Sequence, residues 1–285
     1  MGDKMNFFDL HCDTAFECFK WKKSFYENDL SVSGKRGEAF ENWHQIFAIW
    51  IRDDEAEPFR LYKNVLNYFE TQEMPSNLIP YFSVEGGAVL GDDIDRLYVL
   101  KQDKIKILTL TWNGENNIAG GANSEKGLTK FGKKVLNKMN KLELICDLSH
   151  LNVKSFFEVA ERAEKVIATH SNCYNICAHR RNLSDEQIKI ISEKKGLIGL
   201  CFYPAFLGEY VLEGLYENVF YLCDKGYEDI IAIGSDFDGG IMDRKLNNIS
   251  KIPRLYKFLD QKGLEKRLLD KIFFENAYNY IAKNK

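Results

Sequence analysis

The feature that most constrains this chain is a rhythm in its apolar residues. Eight short runs rich in β-branched and aromatic residues recur along the 285 positions, most of them giving way to a helix-like stretch. The runs are "FFDLHCD" (7–13), "QIFAIWI" (45–51), "IPYFSVE" (79–85), "IKILTLTW" (105–112), "LELICDLS" (142–149), "KVIATHS" (165–171), "GLIGLCFY" (196–203) and "DIIAIGSD" (229–236). Between them lie helical patterns such as "EPFRLYKNVLNYFETQ", "TKFGKKVLNKMNK", "VKSFFEVAERAE" and "SDEQIKIISEKK". The last opens on a capping box, with Gln187 three residues after Ser184. Alternation of this kind means parallel strands joined by helical crossovers. Eight units within roughly 250 residues predict a closed (β/α)8 barrel of the TIM type. An open doubly wound sheet is the alternative, but no GxGxxG follows the first run. No linker divides the chain, so 1–285 is read as one barrel domain, with two or three additional C-terminal helices after residue 250.

Composition narrows the functional classes. Hydrophobic residues make up 45% and aromatics 13%, enough for a sizeable core. Thirty-nine basic against 42 acidic residues leave a net charge of −3, which argues against nucleic acid or an anionic membrane as partner. No apolar run approaches a membrane span, and "MGDKMNFFDL" has no secretory h-region. Seven cysteines without CxxC spacing are read as reduced, small buried side chains of a cytoplasmic protein.

Catalytic groups of such a barrel gather at the C-terminal ends of several strands. Here His11 and Asp13 end the first run, Glu85 the third and Asp236 the eighth; His150 follows the fifth and His170 lies at the end of the sixth. Three of the chain's five histidines thus fall at strand ends. Imidazoles with carboxylates form the nitrogen and oxygen set that suits Zn2+, with Mn2+, Co2+ or Fe2+ as other occupants. The set is too large for one tetrahedral ion, and a carboxylate can bridge two. Strand alternation puts Asp9 on the same face as His11 and Asp13 but deeper, where it could support a ligating histidine. His44 precedes the second run and is read as structural; His179 is read as an exposed or supporting group in its loop. Arg180 and Arg181 follow the sixth run, where an arginine can grip a carboxylate with two parallel hydrogen bonds. In "GSDFDGG", Asp236 is placed for general acid–base work, while Asp238 reads as a turn residue.

Taken together, "FDLHCDT", "SVEGG", "LTLTWN", "ICDLSHLN", "ATHSNCYNICAHRRNLSD" and "GSDFDGG" resemble, in their order, the membrane (renal) dipeptidase family of zinc metallopeptidases. The resemblance implies an amidohydrolase-type barrel with two zinc ions per chain. His11 and Asp13 would hold one, His150 and His170 the other, and Glu85 both. It implies that Arg181 binds the terminal carboxylate of a small dipeptide, that Asp236 handles the proton, and that D-residues are tolerated at the C-terminal position. A homodimer is compatible with it. One position departs from the pattern: where the family has His in "LTLTH", this chain has Trp112, followed by Asn113, and both are expected at the substrate. An indole donates only through its N–H and carries no charge. Two alternatives follow: a related amidohydrolase acting on N-acyl amino acids or cyclic amides, or a metal-binding member whose turnover is reduced or lost.

Overall fold

The computed structural model describes residues 4–283; residues 1–3 and 284–285, the two ends of the expected 1–285 domain, lie outside the described residues. Eight strands appear: β1 (Phe7–Cys12), β2 (Trp43–Trp50), β3 (Leu78–Glu85), β4 (Ile105–Thr109), β5 (Ile145–Asp147), β6 (Val166–Ile167), β7 (Ile198–Leu200) and β8 (Ile231–Ile233). They pair in parallel in the order β6-β5-β4-β3-β2-β1-β8-β7. A bridge between Ala168 and Ile198 joins the two edge strands, with the Gly199 N–H donating to Ala168 O at 2.8 Å. The sheet therefore curls into a nearly closed barrel with helices outside it, the (β/α)8 architecture predicted from the apolar rhythm.

The barrel interior is a stack of apolar side chains from successive strands. Phe8 and Leu10, Ile46, Ile107, Ile145, Ile167, Leu197 and Ala232 form it, and Tyr81 packs against it. Ala277 and Ile281 from the C-terminal segment join the same cluster and close the floor. That segment contains π-helical turns at Lys271–Glu275 and Tyr278–Ala282, and the Asn276 amide ties it to Ile231 O at 2.8 Å. The opposite strand faces, including Phe7, Cys12, Phe47, Ile49 and Val84, pack against the helical layer.

The structure corrects the reading of β1. The β1–β2 register runs Asp9↔Gln45 and then Cys12↔Phe47, so β1 carries one extra residue, a β-bulge. Leu10 belongs to the interior cluster, and Asp9 shares the outward face with Phe7 and Cys12. Asp9 therefore does not share a face with His11. Its carboxylate repairs the ladder that the bulge interrupts. It accepts from the backbone N–H of His11 (3.2 Å) and Ser235 (2.8 Å), the Ser235 hydroxyl (2.6 Å) and the Gln45 amide (2.9 Å). Asp9 thereby ties β1 to β2 and β8 from behind.

The later strands are shorter than their apolar runs. β5 to β8 span two or three residues each, against the seven or eight predicted. Their continuations leave the ladder to line the mouth: His150, Asp236 and Asp238 all adopt left-handed backbone, at φ 69°, 62° and 69°. β4 stops at Thr109 instead of 112, because the Asp53 carboxylate takes the N–H groups of Trp112 and Gly114 at 3.2 and 2.9 Å. The helices lie where the patterns placed them, and the Ser184–Gln187 capping box forms. Five cysteines are buried as expected, whereas Cys177 and Cys223 are partly exposed, and all seven are free thiols.

Candidate metal centre

At the mouth of the barrel the strand ends converge on one cluster. Glu85, the last residue of β3, sits at its centre with its two oxygens turned to different partners. Oε1 lies 2.8 Å from His150 Nε2 and 3.7 Å from His170 Nε2, while Oε2 lies 3.5 Å from His11 Nε2. Asp13 Oδ2 is 3.5 Å and Asp236 Oδ1 3.9 Å from that same His11 nitrogen. Three overlapping triads could each hold a cation: His11–Asp13–Glu85, Glu85–His150–His170 and His11–His170–Asp236. The third includes Asp236, which the sequence had suggested only as an acid–base group.

Two of the histidines, His150 and His170, are held with lone pairs pointing inward. His150 Nδ1 lies 2.9 Å from Asn113 Oδ1, an acceptor, so that nitrogen carries the hydrogen. The Thr169 hydroxyl donates to Asp147 Oδ2 at 2.7 Å and therefore accepts from His170 Nδ1 at 2.8 Å. His11 Nδ1 faces the same hydroxyl at 3.5 Å. The His150 and His170 rings thus each present an unprotonated Nε2, and these stand 2.8 Å apart. Two lone pairs at that distance repel unless an electrophile draws on both. His11 Nε2 is buried and has no hydrogen-bond partner. The donor set and its orientation therefore fit divalent cations with nitrogen and oxygen ligands.

Electrostatics points the same way. Three carboxylates crowd this small space, Asp13 and Glu85 buried and Asp236 half-buried. Burial and the neighbouring Glu85 raise Asp13 to about 8, and burial raises Asp236 to about 6. Burial disfavours the His11 cation, yet Glu85 and Asp13 outweigh it and hold that ring well above the usual histidine value. Burial, with Arg181 nearby, lowers His150 to about 4, and His170 is lowered too, keeping both neutral. A cluster that traps a proton to offset its carboxylates is one that bound cations would relieve.

Backbone strain is concentrated here. Left-handed φ values at His150 and Asp236 cost about 1–2 kcal/mol each for residues bearing a Cβ. Gly239 lets the loop after β8 close in, since a Cβ there would lie 2.4 Å from Asp236 Oδ1 and 2.5 Å from Asp13 Oδ2. Asp238 is a tether: it accepts from the Thr14 hydroxyl at 2.6 Å and the Ser31 N–H at 2.7 Å.

Above the cluster opens a cavity of about 470 Å3, a size that suits a small molecule. Phe16, Trp50 and Trp112 make one wall, with Trp50 edge-on to both other rings. Across from it, the loop after β6 contributes His179, Arg180 and Arg181. Arg181 is 7% exposed, lies over Phe206, and leaves its Nε without a partner. His179 is half-buried and accepts the Arg181 N–H on Nδ1 at 3.2 Å, so it shapes the loop. Asn113 serves His150 and also lines the cavity.

Sequence reasoning missed the layer behind the histidines. Asp147 accepts four hydrogen bonds, from the hydroxyls of Thr109 and Thr169 and the N–H groups of Ser149 and Thr169, at 2.7–3.0 Å. Asp53 clamps the loop that carries Trp112 and Asn113. The "DLSH" and "ATHS" spacings carried a signal, a hydroxyl residue just before each histidine. Strict alternation hid it by placing Thr169 opposite His170.

Known proteins agree with this picture. The model of the membrane dipeptidase family, peptidase family M19, matches residues 47–283, beginning after the strand that carries His11 and Asp13. An uncharacterized protein in the pqqA 5′ region of Klebsiella pneumoniae is 33% identical over 181 residues, spanning 58% of this chain and 67% of that protein. Dipeptidase AC, a metallopeptidase of family M19, shares the fold with a TM-score of 0.89 at 23% identity, over 98% of both chains. A metallopeptidase from Rhodobacter sphaeroides, liganded with a phosphinate mimic of the dipeptide L-Ala-D-Ala, does so at 0.85 and 22%, over 99% of this chain and 100% of that one. With the family match covering most of its length and the fold shared from end to end, the chain belongs to the membrane dipeptidase family of metallopeptidases.

Proposed function

We propose that this protein is a binuclear zinc dipeptidase that cleaves small dipeptides with a free C-terminal carboxylate. The observation that carries this is Glu85, which turns one oxygen to the His150–His170 pair and the other to His11. His11 and Asp13 would hold one zinc, His150 and His170 the other, and Glu85 would bridge them. Bound cations supply Lewis acidity, acidifying water and polarising the scissile carbonyl. Asp236, raised to about 6 by burial, takes the proton of the attacking water and returns it to the departing amine as the C–N bond breaks. Arg181, buried with an open Nε, binds the substrate carboxylate and fixes its orientation. Trp112 and Trp50 wall the acyl side and exclude water from it. Tolerance of a D-residue at the C-terminal position is part of the proposal, supported by the L-Ala-D-Ala mimic held by the Rhodobacter sphaeroides neighbour. Seven free thiols support a cytoplasmic site of action.

A second reading has its own observation. Trp112 lines the cavity where the family pattern has a histidine, so a cationic donor to the developing oxyanion is missing. Loss of one such donor costs about 2.7–4 kcal/mol of transition-state stabilisation, and the chain would then bind metal and ligand with reduced turnover. Metal analysis beside a panel of L,L- and L,D-dipeptides, with and without chelator, separates the two. About two zinc per chain and chelator-sensitive cleavage are expected. Two zinc without cleavage would favour the second reading, and less than one metal per chain would sink both. Arg181→Ala should raise KM about 10–100-fold for carboxylate-bearing substrates; an unchanged KM would remove Arg181 from its role.

A further inference from the structure

Two arginines face the cavity, and the proposed reaction uses one. Arg180 and Arg181 are consecutive residues of the loop after β6, and both line the space above the metal centre. Arg181 is buried against Phe206, whereas Arg180 is exposed at the rim. Among the described residues, neither guanidinium has a carboxylate within ion-pairing distance.

The acidic groups of the same cavity are engaged elsewhere. Asp13, Glu85 and Asp236 face histidines, Asp238 holds Thr14 and Ser31, and Glu17 holds Trp21 and Lys20. The cavity is therefore polarised, with carboxylates at its base and along the helix Thr14–Trp21 and two arginines on the opposite loop, of which Arg181 also feels Asp236 and Glu85 at longer range. His179 does not dilute that charge: burial, together with Arg181 and Arg180, lowers its pKa and keeps the ring neutral. Tyr203 and Phe206 lie beside the arginines and offer an apolar platform for a short side chain.

Resting on the dipeptidase reading, in which Arg181 takes the C-terminal α-carboxylate, we propose that Arg180 binds a second carboxylate on the same residue. The preferred substrates are then dipeptides ending in aspartate or glutamate. Both arginines line the same cavity from adjacent positions, so a residue whose two carboxylates are two or three carbons apart can address both. The phenyl and indole wall of Phe16, Trp50 and Trp112 lies on the other side and carries no charge for this purpose. The second charge is thus read at the C-terminal residue.

The test compares isosteric pairs, Ala-Glu with Ala-Gln and Ala-Asp with Ala-Asn, in both configurations of the second residue, on zinc-loaded protein. The wild type should favour the acid over the amide by about tenfold in kcat/KM, the size of one charge-assisted contact at a partly solvated rim. Arg180→Gln should collapse that ratio toward one, and Arg180→Lys should restore part of it. Arg181→Ala should weaken acid and amide together. Calorimetric binding of the same pairs runs alongside. Preferential binding of the acids that Arg180→Gln abolishes, without cleavage of any dipeptide, would uphold Arg180 and overturn only the dipeptidase reading. A wild-type ratio near one, a ratio unmoved by Arg180→Gln in a variant of normal zinc content, or no binding of any pair would overturn the proposal.

Discussion

The two ends of this barrel both place histidine among aromatic rings, yet they do opposite things with it. At the floor, His44 packs against Phe8, Tyr81, Phe274 and Tyr278, and its Nδ1 pairs with the Tyr81 hydroxyl at 3.1 Å. Burial alone lowers its pKa to about 4, so the ring is neutral. At the mouth, His11, His150 and His170 surround a carboxylate and are oriented from behind by Thr169 and Asn113. Histidine is common to both ends. The difference lies in what stands behind and between the rings, and a site for cations needs both an acid in the middle and acceptors outside.

The largest break in that contrast should come from the middle. Glu85→Gln removes the charge between the histidines while keeping the shape, and should cut dipeptide turnover by about a thousandfold or more with loss of bound zinc. Retention of two zinc ions would show that the flanking ligands suffice. A smaller effect should come from behind. Thr169→Val deletes the acceptor of His170 and should weaken zinc by about 10–100-fold in competition with a chelating indicator. An unchanged affinity would leave Thr169 with packing alone.

The smallest effect belongs to the floor. The folded pKa of His44, about 4, lies below the unfolded value of 6.5, so between these limits the unfolded chain binds the proton first. His44 stability is therefore complete above about pH 6.5 and is lost as pH falls toward 4. His44→Phe should reduce this acid sensitivity, on the order of 1 kcal/mol, as read from urea midpoints at pH 7 and 4.5 relative to wild type. Zinc content and turnover should stay as they were. An identical acid response in both proteins would assign the sensitivity to other groups.

The barrel was legible because its eight runs are apolar on both faces, as strands buried between a core and helices must be. The converging residues were legible because three of five histidines follow such runs. What stayed hidden came from departures from regular strands. The bulge in β1 puts Leu10 and His11 on the interior side in succession, which defeats a period of two and misplaced Asp9. At β6 the ladder ends at Ile167, and the chain bends at 169–170, which brings Thr169 and His170 to one site. Asp53 acts across 59 residues on the loop of Trp112, and no local pattern announces such a tie.

The floor has a consequence for the order in which the molecule is made. Phe8 and Leu10 are made before the rest of their cluster, which includes Ala277 and Ile281, some 270 positions later. Every strand can have paired with its neighbour while the inner stack is still open to water from below. Contacts so distant in sequence close slowly and leave apolar surface exposed in the meantime. During synthesis, the end of the barrel remote from the chemistry is the last to become dry.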